Sequence, residues 1–353
     1  MIETVSAITA ETLSRYSDVI DVRSPAEFAL DHVPGAINLP VLDDAQRHEV
    51  GTLYVQSSKF LAARIGAALV ARNIADHLDG PLADRPGSWA PLIYCWRGGN
   101  RSGAMATILS RVGWRVGVVE GGYRTYRRGV VRRLYEEAPP LRVVLVAGPT
   151  GSGKTVLLDR ARPLGAQVLD LEALAAHRGS LFGGLKAEAQ PSQRMFESRL
   201  LHALDALDPA RPVLVEAESS RIGQISLPPA IWSRMVEAPR IEIDAPAAAR
   251  ARHIVETYAD ITADLAAIEE ALSRLPRHIG REQRDAWRAL ARAGDFLALS
   301  EQLIHVHYDP AYRRSGATRT GPVAARLTLD DLDPAALSEA AARLVDAAER
   351  AGA

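Results

Sequence analysis

The chain has one cysteine in 353 residues, Cys95. A lone thiol excludes an internal disulfide and a zinc-finger framework. Lysine is almost absent as well. Lys59, Lys154 and Lys186 are the only three, and arginine supplies the remaining positive charge. Together with the high alanine content this reflects genome composition, and it makes each lysine worth following. No apolar run approaches the roughly 18 residues of a membrane span, and no basic N-terminal segment leads into a long apolar one. The expectation is a soluble cytoplasmic protein without signal peptide or membrane span. Net charge is lacking too: Lys and Arg total 42 against 43 Asp and Glu, leaving −1. Any nucleic-acid footprint must therefore be local. Internal repeats and low-complexity tracts are absent from the sequence.

What the chain does have is ample apolar content, 47%, and the length of two ordinary domains or one large one. "VIDV" reads as a short strand, followed by "SPAEFALD", a short helix with Ser24 as N-cap, Pro25 at its first position and Glu27 three residues on. "VPGAINLP" is a turn and another strand, and residues 57–73 read as an amphipathic helix. "APLIYC" is a strand ending at the cysteine, "RSGAMATILSRVGW" a helix, and "RVGVVEGG" a strand closed by glycines. Strands alternating with helices predict a parallel α/β sheet over residues 1–135. Pro139 and Pro140 mark a stiff linker at 136–141. A second α/β pattern occupies 142–353. It opens with the buried-strand run "RVVLVAG", continues through "AQVLDLEAL" and "RPVLVEAES", and turns helical over about 245–302. "LIHVHYDP" (303–310) reads as a last strand or extended segment, with His305 and His307 on one face, and the tail 330–353 as an amphipathic helix.

Cys95 sits in "YCWRGGNRSG", where a parallel strand ends and a helix begins. Such a turn aims backbone N–H groups and the helix's positive end at one point. Gly98 and Gly99 let the loop curl, and Arg97 and Arg101 add charge. These are conditions that ionise a thiol and hold an anion, hence a nucleophile's environment. The alternative is an inert buried cysteine, and the Gly-Gly and arginine context argues against it.

"GPTGSGKT" (148–155) fits G-x4-G-K-[ST] in full, after an apolar strand and before a helix. Gly148, Gly151, Ser152 and Gly153 would let N–H groups wrap a diphosphate. Lys154 would reach its terminal oxygens and Thr155 would hold Mg²⁺. The acidic partner for the metal should end a neighbouring strand. Glu216 is best placed, with Glu218 and Asp170 as alternatives. The motif specifies a diphosphate-bearing ligand with a metal; it leaves open whether ATP binds.

Other candidates are weaker. "HRGSLFGG" (177–184), with His177 and Arg178, could cap a phosphate ligand or form a plain turn, and Arg221 could bind an anion or a surface carboxylate. "GGYRTYRRGVVRRLY" interleaves Arg124, Arg127, Arg128, Arg132 and Arg133 with Tyr123, Tyr126 and Tyr135. This suits phosphate contacts and base stacking, or an interdomain helix whose arginines pair with Glu136 and Glu137. Arg277, Arg281, Arg284, Arg288 and Arg292 share one helical face. It reads as a second RNA-binding candidate or a solvated stripe.

"DVRSPAEFALDHVPGAINLP" followed by "YCWRGGNRS" resembles the rhodanese domain, from Asp21 to about Arg133. Such domains carry sulfur or selenium as a persulfide or perselenide on the loop cysteine, which makes Cys95 that carrier. The loop is C-x5-R, one residue longer than in many sulfur-only rhodaneses, and it also resembles rhodanese-fold phosphatases. The expectation is that it admits a tetrahedral substrate such as selenophosphate. With "GPTGSGKT", "HRGSLFG", "ESSRIG" and "HYDPAY" added, nearly all of the chain to about residue 315 resembles the bacterial tRNA 2-selenouridine synthase family.

That resemblance implies a rhodanese-like parallel-sheet domain followed by a P-loop NTPase-like α/β domain with a helical C-terminal part. It also implies two steps on the wobble 2-thiouridine of a tRNA anticodon arm. The sulfur is alkylated by geranyl diphosphate, and the S-geranyl group is then replaced by selenium from selenophosphate. A selenophosphate-supplying enzyme is the further partner, and the geranyl pocket is expected near the phosphate loop, in the region 245–300. Two rivals stay open: a sulfurtransferase or cysteine phosphatase fused to a small-molecule kinase, and a non-catalytic RNA-binding module.

Overall fold

The computed structural model describes residues 1–137, 140–177, 189–257, 264–276, 278–316 and 319–352. Its contacts group into two units, Met1–Glu137 with Pro191–Asp205, and Ala138–Gln190 with Ala206–Ala353.

The first unit runs β1 (Ile2–Val5), α1 (Ala10–Leu13), β2 (Asp18–Asp21), α2 (Pro25–Leu30), β3 (Ile37–Asn38), α3 (Asp44–Gln56), α4 (Lys59–Asp79), β4 (Pro91–Tyr94), α5 (Asn100–Val112), β5 (Val116–Val119) and α6 (Tyr123–Val131). A π-helical turn, Arg132–Glu136, continues α6. The strands pair in parallel in the order β1-β5-β4-β2-β3. All four residues of β4 are buried, as expected of a parallel strand covered on both faces. Ile20, Ile74, Ile93, Met105, Leu109 and Val116 lie in the core around it. β4 therefore delivers its last residue and the following Cys95 to the carboxyl end of the sheet.

The second unit opens with β6 (Arg142–Ala147), α7 (Lys154–Ala161), β7 (Gln167–Leu169) and α8 (Leu171–Leu174). After α9 (Gln193–Asp205) come β8 (Pro212–Glu216), the two-stranded ribbon β9 (Arg221–Ile222) and β10 (Ile225–Ser226), α10 (Pro229–Glu237), β11 (Arg240–Asp244) and α11 (Ala247–Thr257). Then follow α12 (Leu265–Ser273), α13 (Arg281–Ala293), α14 (Phe296–Leu303), α15 (Asp309–Gly316), β12 (Val323–Thr328) and α16 (Pro334–Ala351). The sheet is parallel in the order β12-β11-β6-β8-β7. β6 is central, and Val144, Val146, Leu214, Ile241 and Ile243 meet the tail helix through Leu337, Ala341 and Leu344. Helices α11 to α14 close a separate core on the fully buried Trp287. Among the described residues, no helix is long and apolar enough to cross a membrane.

One expectation needs correction. Residues 303–310 are not extended: a π-helical turn, Ile304–Tyr308, joins α14 to α15. Leu299, Leu303, Ile304 and Tyr308 are buried in the helical core, and their helical spacing outweighs the alternation in "IHVH". Helical geometry sends residues two apart in different directions, so His305 is exposed and His307 half-buried rather than sharing a face. Residues 191–205, within the span read as the second domain, group by contacts with the first unit. The cause is polar. On α9, Glu197 and Ser198 are buried; Arg127 and Tyr135 donate to the Glu197 carboxylate, and Ser198 Oγ donates to Asp31 Oδ1 at 2.7 Å.

Two residues after β2, Arg23 is 1% exposed and pairs with Asp21 at 2.6 Å, and it donates to the Asp31 carbonyl at 2.6 Å. Removing one partner of a buried pair leaves the other charge uncompensated. Arg23→Ala is therefore expected to cost about 3–5 kcal/mol of unfolding free energy. Urea unfolding measures this, and a loss under about 1 kcal/mol, the size of an exposed pair, would contradict it.

Candidate active sites

Cys95 is 3% exposed at the carboxyl end of β4. Its Sγ accepts the Gly99 N–H at 3.3 Å and the Ser102 hydroxyl at 3.2 Å. Burial pushes the thiol up. The Ser102 hydroxyl and the N–H groups of Ser102, Arg97 and Gly99 act against it and hold it below its ordinary value. The loop is thus built for a thiolate by hydrogen-bond donors at the start of α5. Guanidinium charge contributes differently from the sequence expectation. The Arg101 side chain pairs with Glu27 at 2.7 Å, and the Arg97 side chain is exposed.

The loop leans on the turn before α6. The N–H of Tyr123 donates to the Cys95 carbonyl at 2.8 Å and that of Arg124 to the Trp96 carbonyl at 3.3 Å. Gly98 has φ +67°, and a Cβ there would lie 2.7 Å from the Val119 carbonyl oxygen; one on Gly122 (φ +58°) would collide with the Cys95 carbonyl. Only glycine fits this close loop-on-loop approach.

In the second unit the phosphate loop turns between β6 and α7. Gly151 and Gly153 take φ of +81° and +77°, and a Cβ on Gly148 would lie 2.8 Å from the Ile243 carbonyl oxygen. The Ser152 hydroxyl is buried without a hydrogen-bond partner among the described residues. Lys154 Nζ lies 3.4 Å from Glu216 Oε1, and the Thr155 hydroxyl donates to Glu216 Oε2 at 3.1 Å. Glu172, Glu216 and Glu218 each bring an oxygen within 4.8 Å of the others. Burial, then Glu216 and Glu218, push Glu172 up to about 10. Burial and Glu216 also raise Glu218. Burial pulls Lys154 down, but the three carboxylates outweigh it and raise it overall. Carboxylates crowded enough to retain a proton are the donor set a hard divalent cation would take over. These groups line a cavity of about 340 Å³ with Val156, His253, Ile254 and Thr257.

A family model described as "tRNA 2-selenouridine synthase AAA domain" matches residues 141–340, and one described as "Rhodanese-like domain" matches 8–128. The tRNA 2-selenouridine synthase of Nitrosomonas europaea is 34% identical over 307 residues, 81% of this chain and 76% of that protein. That of Verminephrobacter eiseniae is 34% identical over 345 residues, 86% and 90% of the two chains. The chain belongs to the tRNA 2-selenouridine synthase family. As a member it is a tRNA-modifying transferase.

Within this synthase fold, the other sequence candidates separate. Arg127 and Arg133 are committed to Glu197 and Asp205 of α9. Arg132 pairs with Glu137 at 2.9 Å, while Arg124 and Arg128 are exposed. On α13, Arg281 and Arg288 pair with Asp285, Arg292 pairs with Glu269, and Arg284 donates to the carbonyls of Leu275 and Pro276. Asp170 caps α8 through the Ala173 N–H at 2.8 Å rather than joining the carboxylate cluster. Arg221 is exposed on β9, and the His177 N–H closes a turn on the Glu172 carbonyl. Arg178 with the rest of 178–184, and Arg277, lie outside the described residues.

"HYDPAY" gains a place: Asp309 takes both Nη atoms of buried Arg250 at 2.8 Å, and Arg250 also donates to the Thr150 carbonyl of the phosphate loop at 3.2 Å. Sequence reasoning missed Ser102, Glu172, Arg250 and His253. Ser102 had a signal, directly after Arg101 in the first turn of a helix that begins beside the thiol.

Ser102→Ala removes the hydroxyl that lowers the thiol, so the Cys95 pKa should rise. The midpoint of the pH profile of iodoacetamide alkylation should move upward, with slower alkylation at neutral pH. An unchanged midpoint would show that the backbone N–H groups suffice.

Proposed function

We propose that this chain converts wobble 2-thiouridine in tRNA to 2-selenouridine in two steps, one at each loop. The observation that carries the reading is the phosphate-loop cavity. It combines Lys154, the Thr155–Glu216 pair and two further carboxylates with the apolar side chains of Val156 and Ile254. That combination suits a diphosphate with an apolar organic group, geranyl diphosphate. Thr155 and Glu216 would hold Mg²⁺, with Glu172 and Glu218 beside it. Bound there, the ion supplies positive charge to the departing pyrophosphate.

In the first step the thiocarbonyl sulfur attacks C1 of the geranyl group, the C–O bond breaks and pyrophosphate leaves. Lys154 and the loop N–H groups stabilise the charge that develops on it. Ile254 on α11, within the region expected to hold the geranyl chain, offers the apolar wall. Alkylation converts sulfur into a leaving group at C2 of the base.

In the second step the selenium donor, selenophosphate, binds at the Cys95 loop, where N–H groups offset its anionic charge. Cys95 Sγ attacks C2, the C2–S bond breaks and geranylthiol leaves. The selenium of selenophosphate then attacks C2, the Cys95 thiolate departs, and water cleaves the Se–P bond to release phosphate. Exposed Arg124 and Arg128, beside this loop, supply phosphate contacts for the anticodon arm.

Mass spectrometry of wobble nucleosides tests this, using 2-thiouridine tRNA with geranyl diphosphate, Mg²⁺ and selenophosphate. Wild type should give 2-selenouridine and Cys95→Ala should stop at the S-geranyl form. Lys154→Ala should slow geranylation by about 100-fold or more. Wild type leaving 2-thiouridine unchanged would overturn the reading.

A further inference from the structure

We propose that Trp96 is a stacking platform for a nucleobase turned out of a tRNA loop, and that Arg97, Arg124 and Arg128 grip the phosphates beside it. The inference rests on the tRNA-modifying reading above and adds the residues that seat the base.

Cys95 is 3% exposed and fixed at the end of a buried strand. A base still stacked in its own loop cannot reach such a thiol. Chemistry on it requires extrusion, and the lost stacking must be replaced. Trp96 is the next residue in the chain and only half-buried. Its ring stacks on Tyr123, with centroids 5.2 Å apart and planes 25° apart. The Arg23 guanidinium lies 4.1 Å from the centroid of that same Tyr123 ring. The indole is thus backed by a rigid stack built on the buried Asp21–Arg23 pair. The Arg124 N–H holds its carbonyl, and among the described residues its own indole N–H makes no hydrogen bond.

The arginines of the same region divide into two groups. Arg127 and Arg133 are tied to carboxylates on α9. Arg97 and Arg124 are exposed and have no ion-pair partner among the described residues, and exposed Arg128 reaches only the Thr125 hydroxyl, at 3.2 Å. The guanidiniums left over are those next to the cysteine loop: Arg97 lies in it, Arg124 binds it through its backbone, and Arg128 Nη2 would be 3.8 Å from a Cβ on Gly121. An aromatic face with uncommitted arginines around it is the chemistry that receives single-stranded RNA.

The test uses an anticodon stem-loop carrying 2-aminopurine at the wobble position, and in parallel S-geranyl-2-thiouridine tRNA as substrate. Full-length wild type should quench the 2-aminopurine on binding; Trp96→Ala and Trp96→Leu should leave it bright, and Trp96→Phe should restore quenching. With the substrate tRNA, Trp96→Ala and Trp96→Leu should raise KM about tenfold or more, with a smaller change in kcat and rescue by Trp96→Phe. An unaltered pH profile of Cys95 alkylation shows that the loop is intact in each variant. Quenching and KM equal to wild type in both Trp96→Ala and Trp96→Leu would overturn the proposal. Failure of wild type to make 2-selenouridine would instead overturn the functional reading, while the quenching arm still reports on stacking.

Discussion

Both candidate sites depend on one arrangement: a glycine-bearing loop where a central parallel strand ends and a helix begins. At the end of β4 backbone N–H donors point at Cys95 Sγ, joined by the Ser102 hydroxyl. At the end of β6 the glycines at φ +81° and +77° shape the phosphate loop. In each unit the strand is internal to its sheet, so the loop is anchored on a rigid base. An anion bound at either place would meet dipoles held by the fold, the condition under which electrostatic stabilisation is most effective.

The two sites differ in how they manage charge. The cysteine loop stabilises an anion with neutral donors and turns Arg101 toward Glu27. The phosphate loop surrounds one lysine with three carboxylates, and one of these, Glu172, is pushed up to about 10 by burial and its neighbours. The first suits a nucleophile that must stay reactive, because a fully neutralised thiolate would lose nucleophilicity. The second suits a cation–diphosphate ligand whose arrival satisfies the carboxylates and the lysine together. Two such environments in separate units fit a reaction divided into alkylation and substitution.

Legibility in the sequence followed locality. The strand–loop–helix passages around Cys95 and Lys154 are contiguous, so glycine placement and apolar runs disclosed them. Glu216 was readable because it directly follows four strand residues. Glu172 was not: it joins the cluster through the packing of α8, and its neighbour Asp170, the sequence candidate, is used as a helix cap. Arg250 and Asp309 meet across 59 residues. The basic cluster at 124–133 was visible as charge, but its division into paired and exposed arginines is set by α9, some 70 residues onward. The histidines at 305 and 307 misled because a two-residue alternation was read where buried Leu303, Ile304 and Tyr308 impose a helix.

The central claim is that the two loops perform separable, ordered steps. The most direct test treats 2-thiouridine tRNA first with Cys95→Ala protein, geranyl diphosphate and Mg²⁺. The tRNA is then purified free of protein and given to Lys154→Ala protein with selenophosphate. The account predicts 2-selenouridine in this order and none when the two proteins are used in reverse. Absence of 2-selenouridine in the forward order, with wild type active under the same conditions, would contradict separable sites.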